Sequence, residues 1–472
     1  MNSELRTLPS IDRVLSIEEV KRLVAEVGLP LVKFAARSSV GVYRRHILEG
    51  GLAPGLSDVV SHIKSVIKHI TNPSLQPVIN GTGVVLHTNL GRAPLGESLF
   101  EEAKGCLVGY NNLELDLETG QRGERYHHAA HLLRYITGAE DILIVNNNAA
   151  AIILILSAFA KGKECVVSRG ELVEIGGSFR VPDIMEASGS VMREVGTTNK
   201  TKIADYKRAI NANTAILCKV HKSNFIQKGF TQELSVAELA QLGATHQILT
   251  LYDMGSGLIS DFGLNGLKSE PSVKESVESG VDMVSFSADK LFGSCQAGII
   301  AGKREHIEVL RKHPMLRALR VCKVTIALLE ASARTYLDEN KLFTKNLLFR
   351  TLSRDVAEIN AVADYVSHEL SAKGIRNSVL PSQGQYGGGA MPDQSIESFS
   401  VALTFTKARR AAGVAKKLHI ALLHAHTPLL ANLIKGEVHV NMLCIDNIQK
   451  ERVVSIISDT YEALHHRNGG AY

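Results

Sequence analysis

A chain of 472 residues exceeds one small binding module and, at on the order of 100–200 residues per domain, predicts two or three domains. Its composition, 45% apolar and 21% charged with 39 Gly against 12 Pro, excludes a disordered or collagen-like chain. The longest apolar run, Ala149 to Ala160 broken only by Ser157, falls short of the roughly 20 residues that a membrane span needs. The net charge of +5 permits a polyanionic partner without establishing one.

In chain order, Met1 to Arg6 carries an acid at once and no continuous apolar stretch, so no secretory signal is read and a cytosolic location is expected. Ser16 and Glu19 read as a capping box, Val20, Leu23, Val24 and Val27 follow at helical spacing, and Gly28 with Pro30 gives a stop. Val32, Ala36, Val40, Tyr43 and Ile47 then mark one stripe of a second helix, which Gly50 and Gly51 end. Lys33, Arg37 and Arg44 mark another stripe. Residues 20–45 hold six basic side chains, Lys21, Arg22, Lys33, Arg37, Arg44 and Arg45, against Glu26 alone. That pattern suits a nucleic-acid backbone, although charge alone does not separate it from a solvated face.

From about residue 79, short runs rich in Val and Ile alternate with helical patterns: Asp141 to Val145, Glu164 to Val167, Ala215 to Val220, Ile248 to Tyr252 and Met283 to Phe286. This alternation predicts an α/β domain with a mostly parallel sheet covered by helices. Beyond residue 330 a long helical stretch leads to strands at Ser398 to Phe405 and Glu437 to Met442, a second, smaller α/β domain, with Gly387-Gly388-Gly389 as a loop inside it. The expected division is 1–70, 71–330 and 331–472. Cys106, Cys165, Cys218, Cys295, Cys322 and Cys444 lie far apart with no C-x-x-C pair, so reduced thiols and no zinc ribbon are expected.

The most informative segment runs from Val284 to Gly293. A strand enters a polar turn with Ser287 and Lys290 at S-x-x-K spacing. A lysine at the end of a buried strand is poorly solvated, its pKa falls, and the neutral amine can form an imine with an aldehyde. S-x-x-K alone also fits serine enzymes. Upstream, the strand at 248–252 runs into Asp253, where pyridoxal phosphate enzymes place the carboxylate that keeps the pyridine nitrogen protonated. Asn146, Asn147 and Asn148 before Ala149 form a tight polar turn opening a helix of small residues, whose backbone N–H groups can approach a phosphate. Singly, these features read as a turn former, a chance match and a helix cap; in this order on an α/β scaffold they read as one cofactor site. His221, Ser223 and Asn224, after the strand 215–220, are candidates for hydrogen bonds to the cofactor's 3′-oxygen, with ordinary loop packing as the alternative.

The chain resembles the bacterial selenocysteine synthase family, the L-seryl-tRNA(Sec) selenium transferases. The matching text includes Pro9 to Arg13, Pro77 to Gly83 and on through Leu86 to Arg92, Val145 to Ala151, Val167 to Gly177, Glu194 to Asn199, Ser285 to Lys290 and Gln296 to Ile300. The resemblance implies a fold-type-I pyridoxal phosphate transferase with a helical tRNA-binding N-terminal domain. It implies that Lys290 carries the cofactor and moves protons, that L-seryl-tRNA(Sec) is converted through dehydroalanyl-tRNA, and that selenophosphate supplies the selenium. It also implies that Arg92, Arg317 and Arg320 gather the donor, with Asp289, Thr197, Thr198 and Arg125 lining the pocket. Guanidinium forks suit a tetrahedral oxyanion, though a basic helix face would explain Arg317 and Arg320 equally. Binding of tRNA is assigned to Lys33, Arg37, Arg44 and Arg45, and the family implies a homo-oligomer, a dimer at least and a ring of dimers by extension. No metal and no membrane partner are expected.

Two other readings compete. A lyase of the same superfamily would act on a free amino acid or a phosphorylated amino-sugar acid, and would leave the basic N-terminal helix unexplained. A non-catalytic tRNA-binding protein would leave Asp253, Lys290 and Asn146 to Asn148 without a purpose.

Overall fold

The computed structural model describes residues 3–467 apart from 176–178, 388–389 and 406–407; Gly176 and Gly177 of the matching text and Gly388 and Gly389 of the glycine cluster thus lie outside the described residues. The chain divides into two compact units, Met1–Pro77 and Val78–Tyr472.

The first unit is built from α1 (Ile11–Leu15), α2 (Glu18–Val27), α3 (Leu29–Leu48) and α4 (Leu56–Thr71). The capping box read at Ser16 and Glu19 does not form. Ser16 already ends α1 and donates its hydroxyl to Arg13 O at 2.7 Å, so α2 starts after Ile17 without a side-chain cap. Gly28, at φ +87°, makes the break between α2 and α3. Val32, Ala35, Ala36 and Val40 of α3 are buried in one core with Val59, Val60, Ile63 and Ile67 of α4. This stripe turns Lys33, Arg37, Arg44 and Arg45 outward, and all four are exposed.

The second unit centres on a seven-stranded sheet of β1 (Asp141–Val145), β2 (Glu164–Ser168), β3 (Val191–Val195), β4 (Thr214–Val220), β5 (Leu249–Gly255), β6 (Met283–Ser287) and β7 (Gly298–Gly302), in the order β1-β7-β6-β5-β4-β2-β3. Only β7 runs antiparallel to its neighbours. The sheet is therefore mostly parallel, as the strand–helix alternation implies, and β1, β5, β6 and β7 are buried along nearly their whole length. The C-terminal ends of β1, β5 and β6 face the same side, which is where loops of such sheets gather ligands.

The helical stretch expected beyond residue 330 is present as a series of helices, Lys323–Thr335, Glu339–Lys345, Leu347–Leu352 and Val356–Ala372. Asp338, Asn346 and Asp355 each accept the N–H two residues on, at 3.0, 3.1 and 2.8 Å, and so start a new helix each time. An antiparallel sheet follows, ordered β8-β9-β11-β10, from β8 (Asn377–Gly387), β9 (Ala390–Leu403), β10 (Asn432–Ile434) and β11 (Glu437–Asn441). Residues 79–86 join this C-terminal part: Ile79 and Asn80 pair in parallel with Leu429 and Leu430, and the N–H groups of Val85 and Leu86 donate to Gln385 O and Tyr386 O. Among the described residues no helix is long and apolar enough to cross a membrane.

Candidate active site

Lys290 sits in the turn after β6, only 5% exposed. The turn is held by Ala288 N–H on Ala297 O, Leu291 N–H on Ser256 O and Gly293 N–H on Lys290 O, each at 2.9 Å. The amine itself makes no hydrogen bond or ion pair among the described residues. Burial pushes its pKa down, Arg92 adds to that, and Asp253, Asp289 and Glu270 oppose it. Gly255 beside the amine sits at φ +72°, a conformation that favours glycine, and a Cβ there would only touch Nζ at 3.7 Å.

Asp253, near the end of β5, is 6% exposed. Burial raises its pKa, while the Asn148 amide at 2.8 Å, the Lys290 charge, the Ser285 hydroxyl at 3.4 Å and His221 favour the ionised form. His221 N–H donates to Asp253 O at 2.8 Å, and its Nε2 lies 3.3 Å from the buried Glu270.

Asn147 caps the helix Asn148–Phe159: its side chain accepts Ala150 N–H at 2.8 Å and its carbonyl accepts Ala151 N–H at 3.1 Å. The N–H groups of Asn148 and Ala149 remain without an acceptor among the described residues, aligned with the positive end of the helix. Asn148 Oδ1 and Ser256 Oγ are likewise buried without a partner. Gly298 of β7 is required beside this turn, because a Cβ there would come within 2.1 Å of Asn147 O. These residues fit pyridoxal phosphate: an amine for its aldehyde, N–H groups for its phosphate and a buried carboxylate for its ring nitrogen. Ser287, which ends β6, is buried next to the lysine turn. Asn224 donates to Glu174 O at 2.8 Å and leaves Oδ1 unpartnered.

Arg92 joins Lys290 through Asp289. Its Nη1 lies 2.9 Å from Asp289 Oδ2, and Ala93 N–H donates to Asp289 O at 3.1 Å. Arg92 adopts φ +62°, a conformation uncommon outside glycine, with its N–H on His87 O at 3.1 Å.

Arg125, Arg317 and Arg320 form a separate cluster. Glu114 gathers Arg125 through Nε at 2.9 Å, Arg122 at 3.0 Å and Arg320 at 3.5 Å, and the Arg125 hydrogen bond leads in holding its carboxyl below the usual range. Arg317 joins them around a cavity of about 400 Å³. A basic helix face does not account for this pair: Arg317 ends a short 3-10 turn and Arg320 lies in the loop after it. Asn146 N–H donates to Leu319 O at 3.1 Å, which ties this segment to the polar turn after β1.

Thr197 and Thr198 are exposed beyond β3, the far edge of the sheet. That is four strand positions from β6, a lateral offset of roughly 19 Å. Thr197 bonds within its own turn, and Thr198 O accepts from Gln227 at 2.9 Å; neither reaches Lys290, Asp289 or Arg92. Sequence reasoning passes over Glu114 and Glu270, since no local pattern marks either of them.

Residues 78–446 match the family model described as L-seryl-tRNA selenium transferase, and residues 5–44 match that of the selenocysteine synthase N terminus. The chain belongs to the L-seryl-tRNA selenium transferase family. The L-seryl-tRNA(Sec) selenium transferase of Geobacter sulfurreducens is 45% identical over 392 residues, covering 82% of this chain and 85% of that one. The one from Aquifex aeolicus is 44% identical over 410 residues, covering 85% and 88%. Among solved structures, D-glucosaminate-6-phosphate ammonia-lyase aligns with TM-score 0.58 over 82% of this chain and 96% of its own, at 19% identity, a likeness of fold alone. The family and this architecture make the chain a fold-type-I pyridoxal phosphate enzyme, and both of its α/β parts lie in the second unit.

Proposed function

We propose that this protein converts L-seryl-tRNA(Sec) to L-selenocysteinyl-tRNA(Sec) with pyridoxal phosphate on Lys290 and selenophosphate as donor, in the cytosol. The observation that carries the chemistry is a buried lysine amine without a hydrogen bond or ion pair among the described residues, with Asp289 beside it and Asp253 among the charges that act on it.

Lys290 would hold the cofactor, the N–H groups of Asn148 and Ala149 its phosphate, Asp253 its protonated ring nitrogen, and His221 and Asn224 its 3′-oxygen. When bound, pyridoxal phosphate supplies an electron sink for the charge left behind as the seryl α-proton departs. Lys290 Nζ, whose pKa burial and the Arg92 charge push down, would take that proton and return one to the departing seryl oxygen. Asp289 holds Arg92 at the mouth of the lysine turn.

A seryl ester carries no α-carboxylate, so arginines near the site are free for another anion. Arg92, Arg125, Arg317 and Arg320, with Thr197 and Thr198, would gather the donor. The offset of Thr197 and Thr198 from Lys290 supports a site completed by a second copy of the chain, hence a dimer at least and a ring of dimers by extension. Lys33, Arg37, Arg44 and Arg45 on α3 would bind the tRNA backbone. In this division residues 1–70 bind tRNA, 71–330 carry the cofactor and 331–472 complete the second unit.

The test is turnover by the purified protein. With seryl-tRNA(Sec) and selenophosphate it is expected to form selenocysteinyl-tRNA(Sec). Arg317→Ala and Arg320→Ala are expected to lose product formation more than α-proton exchange on seryl-tRNA. Equal loss of both would remove these arginines from donor binding, and efficient turnover of free serine by the wild type would replace the reading with that of a small-molecule lyase.

A further inference from the structure

Glu270 is a buried carboxylate that the chemistry above does not use. It follows the 3-10 turn Asn265–Leu267, and its N–H donates to Leu267 O at 3.0 Å. It precedes Pro271 and Ser272, and Ser272 caps the helix Val273–Glu278 by accepting Glu275 N–H at 3.2 Å. The backbone is thus held on both sides of a side chain that is 5% exposed. Among the described residues its one ion-pair neighbour is His221, whose Nε2 lies 3.3 Å from Oε1. That approach falls short of hydrogen-bond geometry and leaves Oε1 buried without a partner. His221 is itself tied to the cofactor elements, since its N–H donates to Asp253 O at 2.8 Å and its carbonyl accepts Ser223 N–H at 3.0 Å.

A buried carboxylate oxygen without a donor is unfavourable, and a turn of the imidazole would supply one. With Nε2–H given to Glu270, Nδ1 is the nitrogen left for another group. Nδ1 donates only when the ring carries both protons, and the positive charge of that form is the one that a neighbouring carboxylate neutralises.

We propose that Glu270 is a positioning residue: it holds His221 by Nε2 as a doubly protonated imidazole whose Nδ1–H donates to the cofactor's 3′-oxygen. This deepens the cofactor assignment made above and rests on its reading that pyridoxal phosphate is carried on Lys290 with His221 at the 3′-oxygen. Glu270 also acts on Lys290, whose pKa its charge raises against burial and Arg92. Through that route alone, loss of the charge would favour the neutral amine and tighten cofactor binding. The His221 route has the opposite sign.

The test is spectroscopic titration of the cofactor-free full chain with pyridoxal phosphate. Glu270→Gln keeps the shape of the side chain and removes its charge, and is expected to weaken binding roughly tenfold, the scale of one charge-assisted hydrogen bond. His221→Ala is expected to lose at least as much, and the double variant no more than His221→Ala alone. For the cofactor analogue that lacks the 3-hydroxyl, wild type and Glu270→Gln are expected to bind equally. Glu270→Asp, which withdraws the carboxylate by one methylene, takes the place of Glu270→Gln in every comparison should the latter fail to fold. Unchanged or tighter binding of pyridoxal phosphate by the folded variant, losses that multiply in the double variant, or a loss that persists with the analogue would each overturn the inference. Borohydride reduction of the wild type separates the two levels: without an adduct on Lys290 the reading of the site falls and the inference with it, whereas an adduct together with unchanged binding by the variant refutes the inference alone.

Discussion

The side-chain amide of Asn148 lies 2.8 Å from Asp253 Oδ1 and joins the first turn of the helix after β1 to the end of β5. One side chain thus connects the end that would bind phosphate to the carboxylate that would face the ring nitrogen, and fixes the spacing between them before any ligand arrives. In Asn148→Ala, Asp253 keeps its burial and is deprived of its shortest hydrogen bond. The expected result is a loss of about 1–3 kcal/mol in denaturant unfolding together with weaker cofactor binding in titration. No change in either would show that the contact is dispensable.

Arg92 acts on Lys290 at a distance. Burial is the larger cause of the depressed lysine pKa, and the Arg92 charge is the next. Arg92→Gln removes that charge and leaves Asp289 unpaired, and both changes favour the protonated amine. Cofactor loading needs the neutral amine, so the pH midpoint for the appearance of bound-cofactor absorbance is expected to move alkaline in the variant. An unmoved midpoint would mean that burial alone sets the amine.

The residues proposed to hold the cofactor were legible as candidates because each stands at or just past a strand end, where a polar residue after an apolar run has few structural excuses: Asp253 near the end of β5, Lys290 after β6, Asn147 after β1. Other features were hidden for physical reasons. Strand β3 carries Arg193 and Glu194 and is largely exposed at the sheet edge, so it lacks the apolar run that marks a buried strand. Strand β8 contains Pro381, Ser382, Gln383 and Gly384, which read as loop until paired with β9. Glu114 gathers arginines from both sides of the sheet's sequence, and a contact between residues 114 and 320 leaves no local trace. The split of the arginines proposed to gather the donor into Arg92 and the Glu114 group is likewise a property of the folded chain.

Asp282, in the turn before β6, has its carboxyl pKa pushed down and is expected to contribute to acid stability. Burial alone would raise its pKa, but hydrogen bonds from His306, Lys303 and Thr250 together hold it well below the usual carboxylate value of 3.8. A depressed folded pKa stabilises the protein above the unfolded pKa and ceases to do so as pH falls through the folded one. Thermal unfolding of the wild type is therefore expected to show falling stability below about pH 4, and Asp282→Asn to be less stable at neutral pH with a flatter acid limb. A variant with the same acid slope would assign that slope to other carboxylates.

The four exposed cations of α3 make the N-terminal unit testable by salt. Reversing Lys33, Arg37, Arg44 and Arg45 to Glu is expected to weaken tRNA binding and to lower the logarithmic salt slope by roughly 0.7 to 0.9 for each phosphate that the variant no longer neutralises, with cofactor occupancy unchanged. An unaltered slope would move the tRNA site to another surface.

The central claim is that Lys290 carries the cofactor, and borohydride reduction of the purified protein followed by peptide mass mapping tests it most directly. The expected result is loss of the visible absorbance and a pyridoxyl adduct confined to the peptide containing Lys290, absent from Lys290→Ala. An adduct on another lysine, or a reducible visible band that persists in Lys290→Ala, would contradict the account.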